Sequence, residues 1–93
     1  MADGDLPHYR IEYSRAAQKD LKKVPRADLD RIFGKIDALA DDPRPHGVQK
    51  LAGEDELYRV RQGDYQIIYL IDDSARLVTI ARVRQRGEAY DNL

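Results

Sequence analysis

Residues 57–84 read LYRVRQGDYQIIYLIDDSARLVTIARVR. Their period is two, and it returns three times between turn residues. Leu57–Arg61 alternates, with Tyr58 and Val60 on one side and Leu57, Arg59 and Arg61 on the other. Gln62-Gly63-Asp64 is a tight turn. Tyr65–Ile71 is β-branched and aromatic and apolar on nearly both faces, the pattern of a central strand. Asp72-Asp73-Ser74-Ala75 turns the chain again, and Leu77–Arg84 completes a three-stranded antiparallel meander.

Upstream the pattern is helical. Residues 1–7 are polar and read as a flexible tail, leaving residues 8–93 as one domain. His8–Ser14 alternates, with Tyr9, Ile11 and Tyr13 on one side, and predicts a strand. Ser14 then caps a helix. Ala17, Leu21 and Val24 form its apolar stripe, with Lys19, Lys22 and Lys23 mostly off it. Pro25 suits the first turn of a second helix. There Leu29, Ile32, Phe33, Ile36, Leu39 and Ala40 keep helical spacing, and Gly34 suggests a close packing contact. Asp42–Gly53, with Pro43, Pro45, Gly47 and Gly53, reads as a loop. The order β-α-α-β-β-β predicts an α+β fold: a helical hairpin on one face of a four-stranded, largely antiparallel sheet.

The 93 residues hold 16 Lys+Arg and 17 Asp+Glu, a formal net charge of −1, with two His and no Cys. Without Cys there are no disulfides, thiolate nucleophiles or Cys-ligated metal sites. His8 and His46 are too few for an imidazole-rich site, and turn chemistry explains the acidic doublets, so no metal and no cofactor is expected. Ser14, Ser74 and Thr79 offer little to a Ser–His–Asp hydrolase. An enzyme built from this chain works with Arg, Lys, Tyr and carboxylates. The longest apolar run, Ile67–Ile71, is too short for a membrane span or a signal-peptide core, so a cytoplasmic protein without membrane contact is expected.

The basic residues are ordered. Arg59 and Arg61 project to one side of their strand, and Arg82, Arg84 and Arg86 repeat that spacing on the last. The acids cluster in turns. A nearly neutral chain thus holds a basic sheet face, although a solvated face with charged edges has the same pattern.

Four segments in order, Lys50-Leu51-Ala52-Gly53, Leu57–Arg61, Gly63–Asp73 and Val83–Tyr90, follow the helical hairpin. Together, over about residues 8–90, they resemble the RelE/ParE superfamily of toxins from type II toxin–antitoxin modules. The resemblance implies a microbial ribonuclease-like fold. It also implies a cognate antitoxin, through which the complex binds its own operator DNA. The RelE branch is a metal-independent endoribonuclease that cuts messenger RNA in the ribosomal decoding site, whereas the ParE branch poisons DNA gyrase. RelE-like toxins end the last strand with an Arg and carry a Tyr four residues later, here Arg86 and Tyr90. Arg59 and Arg61 match the family's paired basic positions. The position after Tyr65, commonly Arg, is Gln66. That departure replaces a phosphate-contacting guanidinium with a neutral amide, bears on the rate, and motivates a third reading, a diverged toxin acting within an antitoxin-bound repressor.

Metal-free RNA cleavage needs the 2′-OH to attack the adjacent phosphate. Something must take its proton, something must stabilise the phosphorane, and something must protonate the 5′-oxygen. Arg stays protonated, so Arg59, Arg61 and Arg86 are phosphate clamps. Tyr90 is the acid–base candidate, since neighbouring guanidinium groups favour phenolate; it could instead stack on a splayed base. Lys50, Arg82, Arg84 and Gln66 are expected to bind RNA, although Lys50 reads equally as a loop lysine. Lys19, Lys22 and Lys23 are either a second-tier ribosome contact or a solvated helix face. Tyr58, Tyr65 and Tyr69 read as core, and His46 as a solvated loop residue.

Overall fold

The computed structural model describes residues 8–51 and 57–85. Strand β1 (Arg10–Tyr13) leads to helices α1 (Arg15–Lys22) and α2 (Arg26–Asp41). Strands β2 (Gln49–Lys50), β3 (Leu57–Gln62), β4 (Tyr65–Asp72) and β5 (Leu77–Gln85) follow. They form one five-stranded sheet in the order β1-β5-β4-β3-β2, with β1 parallel to β5 and the other pairs antiparallel. The expected α+β architecture stands, with one strand more than the four expected. Val48 N–H closes a turn on the Pro45 carbonyl at 3.0 Å. That turn carries Gln49 and Lys50 alongside β3, so the expected loop contributes an edge strand. The 1–7 tail lies outside the described residues; among the described residues no helix is long and apolar enough to cross a membrane.

Ser14 caps α1 as its hydroxyl predicts, accepting the Ala17 N–H at 3.0 Å. Helix α2 starts after Pro25, whose carbonyl accepts the Asp28 and Leu29 N–H groups. The helices cover one sheet face. Ile32, Ile36 and Leu39 of α2 meet Val60, Ile67, Tyr69, Val78 and Ile80, all at most 3% exposed. Truncating such a residue to Ala costs about 2–5 kcal/mol. Tyr58, Tyr65 and Tyr69 belong to this core, as expected. Phe33 does not. It is 38% exposed and packs edge-on against Tyr13, with centroids 6.3 Å apart, because it flanks the narrow buried stripe of α2. Gly34 makes no close contact either, since a Cβ there would meet nothing within 4 Å.

Two devices fix the strands. At one end, Arg44 forms a bidentate pair with Asp73 (3.0 and 3.2 Å), which also accepts the Tyr9 hydroxyl at 2.7 Å. Arg44 lies over the Tyr58 ring, 5.2 Å from its centroid, and donates from Nε to the Tyr58 hydroxyl. The second device is a bulge. Tyr69 pairs with Ile80 and Ile68 with Arg82, so Ala81 is the extra residue. The alternation of β5 slips one step there. Val78 and Ile80 face the helices before the slip, and Val83 does so after it. Ser14 braces the bulge, its N–H on the Ile80 carbonyl and its hydroxyl on the Ala81 carbonyl.

Candidate nucleic-acid interface

The slip at Ala81 puts the basic residues of two strands on one face. Directly opposed residues share a side of the sheet. The register sets Arg61 opposite Gln66 and Gln66 opposite Arg84, then Arg59 opposite Ile68 and Ile68 opposite Arg82. Without the extra residue, Arg82 would follow Val78 and Ile80 toward the helices. With it, Arg59, Arg61, Arg82 and Arg84 leave the backbone on the side opposite α1 and α2, around a central Gln66, although the Arg82 guanidinium turns back to Asp20 of α1.

Arg59 is the best-held of them. Its Nη1 donates to Gln66 Oε1 at 3.0 Å and its Nη2 to Gln49 Oε1. Both acceptors are neutral amide oxygens, which orient the guanidinium and leave its charge in place. Among the described residues neither Arg59 nor Arg61 has a carboxylate partner. Gln66 is 2% exposed, and its Nε2 has no hydrogen-bond partner. A buried amide donor left so is costly, about 1–3 kcal/mol. The amide expected to bind RNA thus holds an arginine with one end and carries an unspent donor on the other.

The remaining expected residues divide. Arg82 is committed to Asp20, with Nε to Oδ2 at 2.9 Å and Nη2 to Oδ1 at 3.1 Å. Asp20 Oδ2 also accepts the Val83 N–H at 2.9 Å. The spacing identified the face of Arg82 and not its partner. Burial pushes the Asp20 carboxyl up, but the Arg82 and Val83 hydrogen bonds and the charges of Arg82 and Arg84 outweigh it, so the net shift is down. Lys50 is paired with Tyr58, on the side opposite Arg59, so the structure does not bring it to the arginines. Gln49 holds the place on the arginine side instead. Lys19 and Lys22 are exposed on α1, and the exposed Lys23 caps its end, where it shares a cavity wall with Arg82 and Arg84. Arg86 and Tyr90 lie outside the described residues.

Two participants escaped sequence reasoning. Gln49 lies in a two-residue strand within a Pro- and Gly-rich segment, where no periodicity can develop. Asp20 left a signal. Ala17, Asp20, Leu21 and Val24 stand at i, i+3, i+4 and i+7, so an acid occupies the inner stripe of α1 and requires a buried partner. Among the described residues no group of three or more His, Asp or Glu could hold a metal ion.

This geometry has relatives. The model of the family described as "ParE toxin of type II toxin-antitoxin system, parDE" matches residues 11–90. The putative toxin RelE1 of Methanocaldococcus jannaschii is 31% identical over 87 residues, covering 90% of this chain and 97% of that protein. A chain in the crystal structure of the archaeal RelE–RelB complex from Pyrococcus horikoshii OT3 superposes with a TM-score of 0.76 at 32% identity, covering 86% of this chain and 97% of that one. The toxin–antitoxin complex RelBE2 from Mycobacterium tuberculosis gives a TM-score of 0.77 at 28% identity, covering 86% and 93%.

Proposed function

The chain belongs to the RelE/ParE superfamily of type II toxins, and on that premise we propose that it is a ribosome-dependent endoribonuclease that cuts messenger RNA and is neutralised by a cognate antitoxin of the RelB kind. The observation that carries this reading is Arg59, oriented by two amide oxygens without a counter-charge. It stands beside Arg61 on the sheet face opposite α1 and α2. Such a cation meets the demand of a phosphorane, which gains negative charge as it forms. Preorganised charge at that point is a large catalytic term.

In the reaction the 2′-oxygen bonds to the adjacent phosphorus and the P–O5′ bond breaks. The products are a 2′,3′-cyclic phosphate and a 5′-hydroxyl. Arg59 and Arg61 hold the phosphate oxygens, with Arg86 joining them from the tail. Tyr90 takes the 2′-OH proton, as the family's tail pattern suggests, and the leaving 5′-oxygen takes its proton from water. Gln66 replaces the guanidinium usual at its position; its carboxamide is buried and acts on the RNA through Arg59, which its Oε1 orients. No step requires a metal ion. The net charge of −1 fits weak attraction to free RNA, so the ribosome presents the substrate and the cytoplasm is the site of action. The antitoxin-bound form would contact operator DNA through the antitoxin.

Purified toxin added to programmed ribosomes tests this. Primer extension is expected to show cuts at the decoding-site codon, with cyclic-phosphate and 5′-hydroxyl ends. Intact message would sink the assignment. The ParE description of the matching family favours a second reading, a gyrase poison. Gyrase-linked DNA breaks on induction, with uncut message, would establish it. Growth without arrest in the absence of the antitoxin would leave the repressor role.

A further inference from the structure

Beyond the arginine face, the sheet edge carries a second cationic feature. Strand β2 pairs with Tyr58 and Arg59, so among the described residues the β3 edge from Val60 to Gln62 has no strand beside it on that flank. A cavity of about 370 Å³ lies there. Its walls include Lys35 from α2, His46, Gly47 and Gln49 from the turn and edge strand, and Arg59 and Arg61 from β3. Gly47 has φ +91°, the left-handed region that glycine adopts without strain, and this fits the turn that brings His46 to the cavity.

Four properties distinguish this cavity from an ordinary surface dent. Its described lining contains three permanent cations and an imidazole and no carboxylate. None of Lys35, His46, Arg59 and Arg61 has an ion-pair partner among the described residues, although the chain has 17 acids to supply one. Arg44 and Arg82 were each given a carboxylate; these four groups were not. Like charges gathered in a concavity repel one another and concentrate the field there, so an anion is the occupant that relieves them. The volume falls in the range of small-ligand sites, about 300–1,000 Å³. Finally, Arg59 belongs to both features, so an anion here is continuous with whatever crosses the arginine face.

We propose that this cavity is a phosphate subsite, taking a backbone phosphate of an RNA strand that runs from the arginine face over the β3 edge, with Lys35 and His46 as its dedicated contacts. The assignment rests on the reading of the arginine face as an RNA surface, but it requires binding and not cleavage. Its phosphate comes either from the messenger strand or from ribosomal RNA.

The test is a titration of the purified, antitoxin-free chain with a short single-stranded RNA oligonucleotide, followed by backbone amide NMR. Gly47 and Gln49 amides should shift. In the double variant Lys35→Gln/His46→Gln the apparent affinity read from those amides should fall about tenfold, and the slope of log affinity against log salt should fall by about 0.7 for each phosphate-binding cation removed. Lys35→Arg should retain most of the effect. Lys35 is half-buried and His46 exposed, so the fold should survive, and an unchanged remaining spectrum would verify it. No shift at Gly47 and Gln49, or shifts indifferent to the double variant, would overturn the subsite. So would a response to an acidic peptide with none to RNA. A chain that binds RNA here and cuts no message would sink the nuclease reading alone. The source is read by His46→Cys, a unique thiol in a chain without Cys, carrying a photoreactive label on programmed ribosomes. Crosslinks to messenger or to ribosomal RNA support the subsite and name the source; crosslinks confined to ribosomal protein overturn it.

Discussion

Arg44 lies against one face of strand β3 and Arg59 leaves from the other, and the two end in opposite electrical states. Arg44 stacks on Tyr58 and binds Asp73 through two nitrogens, so its charge is met by a carboxylate of the protein's own surface. Arg59 binds Gln66 and Gln49, whose amide oxygens give similar directional contacts and no counter-charge. Arg82, held by Asp20, follows Arg44. The fold therefore uses one residue type in two ways, and the partner decides which. A carboxylate makes the guanidinium a brace between segments distant in sequence; an amide makes it a fixed cation for something outside.

The strongest way to break this comparison is to remove each guanidinium in turn. Arg59→Ala should lower the rate of message cleavage on programmed ribosomes, per folded molecule, by about 100-fold or more, in line with loss of a preorganised charge. Arg44→Ala should do the reverse, lowering the melting temperature and sparing the rate per folded molecule. If Arg44→Ala abolished cleavage in a fully folded chain, the division between brace and clamp would be wrong.

Asp20→Ala comes next. It strips the Val83 N–H and the Arg82 guanidinium of their acceptor, and the loss should be about 2 kcal/mol by chemical denaturation. The same pairing sets an acid response. Asp20 sits below its ordinary 3.8 in the folded chain, with its hydrogen bonds and neighbouring charges prevailing over burial. The Arg44 and Tyr9 hydrogen bonds likewise hold Asp73 down. A carboxyl with a depressed folded value stabilises fully above its unfolded value, and the benefit is lost as pH falls through the folded one. The urea midpoint should therefore drop between about pH 5 and about pH 3, where carboxylates titrate, and Asp20→Asn should flatten that drop. A midpoint equally acid-sensitive in the variant would deny Asp20 its part.

These residues also show where the sequence was readable. Alternation put Arg59 and Arg61 on the face away from Tyr58 and Val60, and the structure agrees, because burial on one side fixes the register of the whole strand. Alternation on β5 is readable too, as the step from Val78 and Ile80 to Val83 marks a bulge. What strand period cannot show is a partner from another element. Arg82 finds Asp20 and Arg44 finds Asp73 through tertiary closure alone. Gln49 stayed hidden because two residues of strand leave no period. Arg86 and Tyr90 rest on the family's tail pattern, outside the described residues.

The smallest effect is the most direct test of what the amides do. Gln49→Glu keeps the side chain's size and leaves an oxygen where Arg59 Nη2 finds one, so geometry is preserved and only charge changes. Gln49 is exposed, and an exposed ion pair is worth about 0–1 kcal/mol, so stability should rise by a few tenths of a kcal/mol at most. Arg59 would then resemble Arg44, oriented but neutralised. Cleavage should fall about tenfold, equivalent to about 1.4 kcal/mol of lost phosphorane stabilisation. Gln49→Ala leaves the charge intact and loosens one of the two amide bonds that orient it, so its loss should be smaller, about threefold. The order of the two variants is the critical observation. If Gln49→Ala cut more slowly than Gln49→Glu, orientation and not preserved charge would be the contribution of the amide.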